Sequence, residues 1–405
     1  MTRRLLGAVG IAMIASVVGA GGVTRASQAP QASPAATQAS AAPITEAALN
    51  EAIDKLGAFD LKDRTQASKT VRRASEPMAV AALAKAARSH RDSYVRYRAL
   101  VLLTGFGDAA GPVARDVLAD PDNRLRVVAY GWFSVHPDPT VLQTLLSALD
   151  TERLEFVRPV LTRTVAAYGD DPRARAALLP LITRGEDLFR GAVIEALGDY
   201  RARYAAGQIA EVAKLDGPLQ DEAVIALGKM GDTTTLPMLS GLQKNGPDEV
   251  QPAVAAAVCL ITSNCTVQEE YLKNTLAFAS ARENAPALLS RVAHALGGLG
   301  AATRPAALAI LFDAGVPAKD PARSVIAVSL GTVAMRNPAA MIAALEARTD
   351  LPASLLLLRD SFDMLSEEDF GQERFYVAVH QALTTSAAGS KRRQVAMAII
   401  DTLEF

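Results

Sequence analysis

The sequence predicts an all-α fold, an α-solenoid of about eight to ten two-helix repeats, and three observations carry that prediction. One helix recurs eight times, with a small residue near its end at Thr104, Ser134, Ala166, Gly198, Gly228, Cys259, Gly297 and Gly331, spaced 30 to 38 residues apart. Three columns stay apolar in every copy. Nine residues before the anchor stand Val95, Leu125, Val157, Phe189, Leu219, Val250, Leu288 and Ala322. Five before stand Ala99, Ala129, Leu161, Val193, Ala223, Val254, Val292 and Ile326, and one before stand Leu103, Phe133, Val165, Leu197, Leu227, Val258, Leu296 and Leu330. Offsets four apart put these side chains on one stripe of a helix. Composition is the third observation: 50% of residues are hydrophobic but only 5% aromatic, which suits helices packed closely through Ala, Leu and Val.

The chain begins with a basic start, Met1 to Arg4, followed by an apolar or small run from Leu5 to Val23. Small residues offer cleavage after Ala20 or Ala26, so residues 1–26 read as a signal peptide and the protein as exported, periplasmic or secreted. The competing reading is an uncleaved membrane anchor, since a run of this length just spans a bilayer. Loss of Arg3, Arg4 and Arg25 with the signal would take the net charge from −1 to −4. A weakly acidic body has no overall attraction for nucleic acid or anionic lipid, so neither is an expected partner. No later run is long enough to span a membrane. Residues 27–43 carry no charge and no large apolar side chain and cannot bury enough surface to order themselves, so they read as a disordered Ala/Ser/Gln/Pro linker.

Residues 44–347 form the predicted solenoid. A degenerate first unit follows a helix near 46–57. In the regular units, Asp92, Asp122, Asp187, Asp216, Asp248 and Asp320 stand at or just before the recurring helix, where a carboxylate can cap free N–H groups. Past the anchor come Gly107-Asp108, Gly169-Asp170 and Gly231-Asp232, with Pro137-Asp138 in the same place. Glycine closes one helix in a left-handed turn and the following Asp starts the next. The intervals hold a second helix, such as that around Leu142, Leu145 and Leu149. Proline stands near its start at Pro112, Pro139, Pro172 and Pro338, where a missing N–H costs little. Pro237 and Pro305 read as lying further in, where they would bend the helix. Helical stretches near 353–364, 371–384 and 391–403 read as a carboxy-terminal cap over 348–405, the polar-faced end that a solenoid needs.

The Asp, Val-Arg, Ala and Leu-Gly columns resemble HEAT-like repeats, specifically the short type named after the phycobilin lyases, over roughly residues 60 to 345. The family's inward arginine matches Arg96, Arg126, Arg158, Arg190 and Arg323 and is replaced by Gln220, Gln251 and Leu289. The tetratricopeptide pattern of Trp, Leu-Gly and Tyr is missing. In most members the resemblance implies a scaffold or binding surface. HEAT-like folds also include bilin lyases, which act in the cytoplasm, and base-excision glycosylases, which work on a basic surface.

Nothing in the sequence rises to a catalytic site. His90, His136, His294 and His380 fall in different units, without a Cys or carboxylate pair at metal-ligand spacing, so neither metal nor cofactor is expected. The arginine column, about four residues after an Asp, reads as a structural ladder. Cys259 sits in the anchor column and Cys265 in the following loop. Export favours a disulfide between them, while two thiols, with Cys259 a packing residue, remain the alternative until geometry decides. Positions opposite the apolar stripe face the predicted concave surface: Tyr94, Tyr97, Arg98, Arg163, Glu195, Asp221, Glu222, Arg291 and His294. Their signs run basic, acidic, basic. The expectation is an exported, non-enzymatic scaffold that binds a protein or peptide on that face. A HEAT-like enzyme of the bilin-lyase or glycosylase type and a purely structural envelope component are the alternatives.

Overall fold

The computed structural model describes residues 43–365 and 368–405; the segment read as a signal peptide and all of the linker but Pro43 lie outside them. Apart from short 3-10 turns, every regular element among the described residues is an α-helix. In chain order the hairpins are α1 (Glu46–Lys55) with α2 (Leu61–Arg73), α3 (Glu76–Ser89) with α4 (Ser93–Thr104), and α5 (Gly111–Asp116) with α6 (Asn123–Val135). Next come α7 (Leu142–Thr151) with α8 (Val157–Ala166), α9 (Pro172–Leu178) with α10 (Asp187–Asp199), and α11 (Ala206–Ala213) with α12 (Gln220–Met230). They continue as α13 (Leu236–Asn245) with α14 (Gln251–Thr262), α15 (Thr266–Ser280) with α16 (Pro286–Ala301), and α17 (Pro305–Gly315) with α18 (Ala322–Arg336). The last are α19 (Pro338–Ala347) with α20 (Leu351–Met364), and α21 (Asp369–Thr385) with α22 (Lys391–Leu403).

The even-numbered helices from α4 to α20 pack each on the next as an inner row, and odd-numbered helices back them on the outside. The three apolar columns lie between the rows. All their members are buried except Leu288 and Val258, which are half-buried. Asp92 and Asp122 accept hydrogen bonds from the backbone N–H of Tyr94 (2.8 Å) and Arg124 (3.0 Å), capping α4 and α6. Gly231 ends α12 at φ +65, and Asp232 then accepts from the Thr234 N–H, so the Gly-Asp pair closes one helix and opens the next. Two expectations change here. Pro237 and Pro305 occupy the first turns of α13 and α17, where they bend nothing. Asp187 is the first residue of α10, with Glu186 at the cap position, and the cap positions of α12 and α14 fall to Leu219 and Val250, so Asp187, Asp216 and Asp248 cap no helix here.

The small anchor residues set how closely inner helices approach. A Cβ on Gly198 would lie 2.8 Å from the Ala226 Cα, and one on Gly228 would lie 2.6 Å from the Ala257 Cα. The helix axes can come this near only where one side lacks a side chain. The arginine column has a different task from a stacked ladder. Four of its five side chains reach back to carbonyls at or just past the end of the preceding outer helix: Arg96 to Ala87, Arg126 to Asp120, Arg190 to Ile182 and Arg323 to Gly315, while Arg158 lies over the Phe189 ring. Those carbonyls have no partner inside their own helix. Gln220 and Gln251 make the same bond, to Ala213 (3.1 Å) and Leu242 (3.0 Å). An amide N–H therefore substitutes for a guanidinium at Gln220 and Gln251, whereas Leu289 has no donor to offer.

The last hairpin does more than cover an end. α22 packs on α19 and α20, but α21 also touches α4, α6 and α18, so the carboxy-terminal segment returns to the inner face of the amino-terminal repeats.

Candidate functional site

α21 occupies part of the concave face through three residues of its first turns. Asp369 accepts hydrogen bonds from the Tyr97 hydroxyl and from Arg98 Nη1, the latter at 2.6 Å. One turn later Glu373 pairs with Arg72, whose guanidinium also lies 4.0 Å from the centre of the Tyr376 ring. Between them Phe370 packs on Gly131, where a Cβ would come within 2.6 Å of the ring. Tyr97 and Arg98 are thus covered from within the chain, whereas the helical periodicity puts them on an open surface. Only 8% of Tyr97 remains exposed. Burial, and then the Asp369 carboxylate, hold its phenol well above the ordinary tyrosine pKa. Burial also raises the Glu373 carboxyl, against the pull of Arg72. Tyr94 is half-buried, with Arg64 and Arg124 near its ring.

Beyond α21 the interior is crossed by ion pairs. Glu195 on α10 pairs with Arg336 on α18 and lies 3.5 Å from Arg163 on α8. Asp199, one turn on, accepts from Arg163 and from Lys229, at 2.7 and 2.6 Å. Burial disfavours both carboxylates, yet the surrounding cations outweigh it and hold Glu195 at about 2 and Asp199 below its usual range. Further along, Asp221 on α12 accepts from Arg291 on α16 at 2.7 Å, and Glu222 lies 3.2 Å from His294. Burial raises the Asp221 carboxyl. Burial opposes the charge on His294, but its bond to Glu222 prevails and raises the imidazole pKa.

Of the nine positions read as concave, all but Tyr94 are joined in pairs or networks with residues of other helices. Periodicity missed their partners Asp199, Lys229, Arg336 and Asp369. A signal for two was available: Asp199 and Lys229 directly follow the anchors Gly198 and Gly228, with opposite charge in adjacent repeats.

Arg163, Glu195, Asp199, Lys229 and Arg336 line a central cavity of about 910 Å³, walled by inner helices, by α21 and by the turns after α10, α12, α14 and α16. A second cavity of about 460 Å³ adjoins it, sharing Glu195, Lys229 and Arg336 with the first and lined further by His294. Elsewhere the structure joins Cys259 and Cys265 in a disulfide, with Cα atoms 4.5 Å apart. Among the described residues Cys259, Cys265 and Glu269 are the one metal-range cluster, and the disulfide leaves neither sulfur free to ligate. His90 bonds to Asp54, and His136 stacks on Trp132. No helix of the described residues is long and apolar enough to cross a membrane.

The chain matches no protein-family model and no curated protein sequence. Among solved structures it is similar to the complex of CpcE and CpcF of phycocyanin lyase from Nostoc sp. PCC7120, at 19% identity and a TM-score of 0.39. That likeness covers 63% of this chain and 94% of the other. It is also similar to a structure of the interaction between cadherin and β-catenin, at 12% identity and a TM-score of 0.29, covering 89% of this chain and 91% of the other. With its stacked hairpins, its small-residue anchors and its Arg/Gln column on the outer-helix carbonyls, the chain is an all-α solenoid of two-helix repeats.

Proposed function

We propose that this protein is an exported, non-enzymatic repeat scaffold that holds a protein or peptide segment inside its superhelix. The observation that carries the reading is the seat of α21. There the inner face takes up a helix by pairing its carboxylates with Arg72 and Arg98 and its ring with a glycine gap. That is the chemistry by which a partner segment would be held in the part of the channel that α21 leaves open. Inner helices from successive repeats face that space together, so contacts there are spread over several units. Export is supported by the basic start and apolar run, and a disulfide suits an oxidising compartment.

Photo-cross-linking in the native host tests the reading, with the reactive residue at Thr303 beside the cavity and, as a control, at Lys273 on an outer helix. A discrete protein adduct from position 303 and none from 273 is the expected result. Adducts from 273 alone would move the binding surface to the outer row and overturn the proposal. Mature protein should begin between residues 21 and 30, and recovery of an intact Met1 terminus in soluble cytoplasm would refute export.

A further inference from the structure

Among the described residues, the central cavity carries more positive charge than the carboxylates on its wall neutralise. Arg163, Lys229, Arg336 and Arg374 converge on it from α8, α12, α18 and α21, and the half-buried acids facing them are Glu195 and Asp199. Arg163, Lys229 and Arg336 already divide those two carboxylates among themselves. Arg374 has no carboxylate partner among the described residues. Burial depresses its pKa; the Tyr200 phenol opposes that and Arg163 adds to it. Glu368 also lines the cavity, but it is exposed at the rim.

Other cations on the wall have a local explanation and do not enter this balance. Arg201, Arg203 and Arg304 follow the carboxy-terminal ends of α10 and α16, where free carbonyls attract positive charge. Arg203 donates to the Met230 and Gly231 carbonyls at 3.0 and 3.3 Å. Arg374 lies within α21, away from any helix end; its guanidinium is 5.9 Å from the centre of the Phe370 ring, a contact that supplies no counter-charge.

We propose that the central cavity is a binding site for a small oxyanion ligand, a molecule bearing two or more carboxylate or phosphate groups. Its volume of about 910 Å³ is of ligand-pocket size. Arg163 and Arg336 keep 26% and 30% of their side-chain surface open, so their planar donors can serve a second acceptor besides the carboxylates they hold. The bound oxyanion supplies the missing negative charge beside Arg374. A cavity built only as a structural joint would gain nothing from the surplus cation, because an unpaired charge near another of like sign destabilises the fold.

Titration calorimetry on the purified mature protein, with inorganic tripolyphosphate and citrate in separate runs at fixed ionic strength, tests the site. At least one should bind with saturation, and which one does separates a phosphate from a carboxylate ligand. Arg374→Gln should weaken binding about tenfold or more, the loss of one charge-assisted contact, and Arg374→Lys should recover part of it. The ligand-free Arg374→Gln protein should melt at or above the wild-type temperature, because a surplus charge has been removed. Absence of binding by both anions overturns the proposal. So does an Arg374→Gln variant that fails to fold, or that melts lower while binding unchanged, since Arg374 would then be structural. No protein partner is needed, so this test and the cross-linking test fail independently.

Discussion

The seat of α21 makes the amino- and carboxy-terminal repeats one cooperative object, and Asp369→Ala is the sharpest test of it. The Asp369 carboxylate accepts from Arg98 and from the Tyr97 hydroxyl. A hydrogen bond between charged partners contributes roughly 1.5–3 kcal/mol, and one with a single neutral donor contributes about 1 kcal/mol. Arg98 and Asp369 keep 20% and 19% of their side-chain surface exposed, so water recovers part of the arginine's loss. Tyr97 is too buried for water to replace its acceptor. The net cost is therefore about 3 kcal/mol, and it falls on the joint and not on the middle of the array. A repeat array does not unfold in one step, so a single melting temperature would blur the effect. Hydrogen exchange resolves it. Amides of α21 and of the facing turns of α4 should exchange on the order of a hundredfold faster, at about 1.4 kcal/mol per tenfold. Amides of α12 and α14 should be unchanged. Unaltered protection in α21, or uniform acceleration along the whole chain, would refute the assignment of this helix as an internal latch.

Other predictions rest on different parts of the structure. Arg190→Gln should cost little, because Gln220 and Gln251 already serve the same carbonyls in their repeats, whereas Arg190→Ala should lose about 1–2 kcal/mol in urea denaturation. Reducing the Cys259–Cys265 disulfide, which closes a loop of sequence separation 6, should destabilise by about 2 kcal/mol on chain-entropy grounds. Unreduced native protein should show no alkylation by iodoacetamide. Acid should loosen α10 and α18 selectively. Glu195 titrates at about 2 in the fold against an ordinary 4.5, so its contribution is fully present above that ordinary value and is lost as pH falls towards 2. Asp221 and Glu373 are raised by burial, so acidification relieves a cost there, and exchange in α12 and α21 should not accelerate over the same range.

The sequence made the repeat legible because repetition averages away local noise. One apolar column is weak, but Ala99 through Ile326 at a fixed offset in eight units leaves one interpretation. Caps were legible for the same reason, as Asp92 and Asp122 recur at one place and do one job. Helix periodicity also picked out a face whose residues, Tyr94 aside, enter interhelical pairs. It could not find what meets that face. Tyr97 and Asp369 stand 272 residues apart, and Glu195 and Arg336 stand 141 apart. Neither pair lies at a multiple of the repeat that a columnar reading would compare. Curvature brings them together, and curvature is a sum of small rotations that no single unit displays.

That curvature has a residue-level cause, and it can be tested. Where Gly198 meets Ala226 and Gly228 meets Ala257, the inner helices approach backbone to backbone. Outer helices between the same repeats carry full side chains such as Leu239 and Ile209. Narrow spacing inside and wide spacing outside bends the row inward, until α10 and α18 face each other across the cavity. Gly228→Ala should then do two things at once. It puts a methyl 2.6 Å from the Ala257 Cα, and the forced shift should cost about 1–3 kcal/mol. By spreading the inner row it should also draw Arg336 away from Glu195, although neither residue touches position 228. A double-mutant cycle on Glu195→Gln and Arg336→Gln measures that directly. Coupling that is strong in the parent and falls by half or more in the Gly228→Ala background is the expected result. An unchanged coupling would mean that the interior pairs hold the ring closed on their own, and that the glycine anchors serve packing and nothing beyond it.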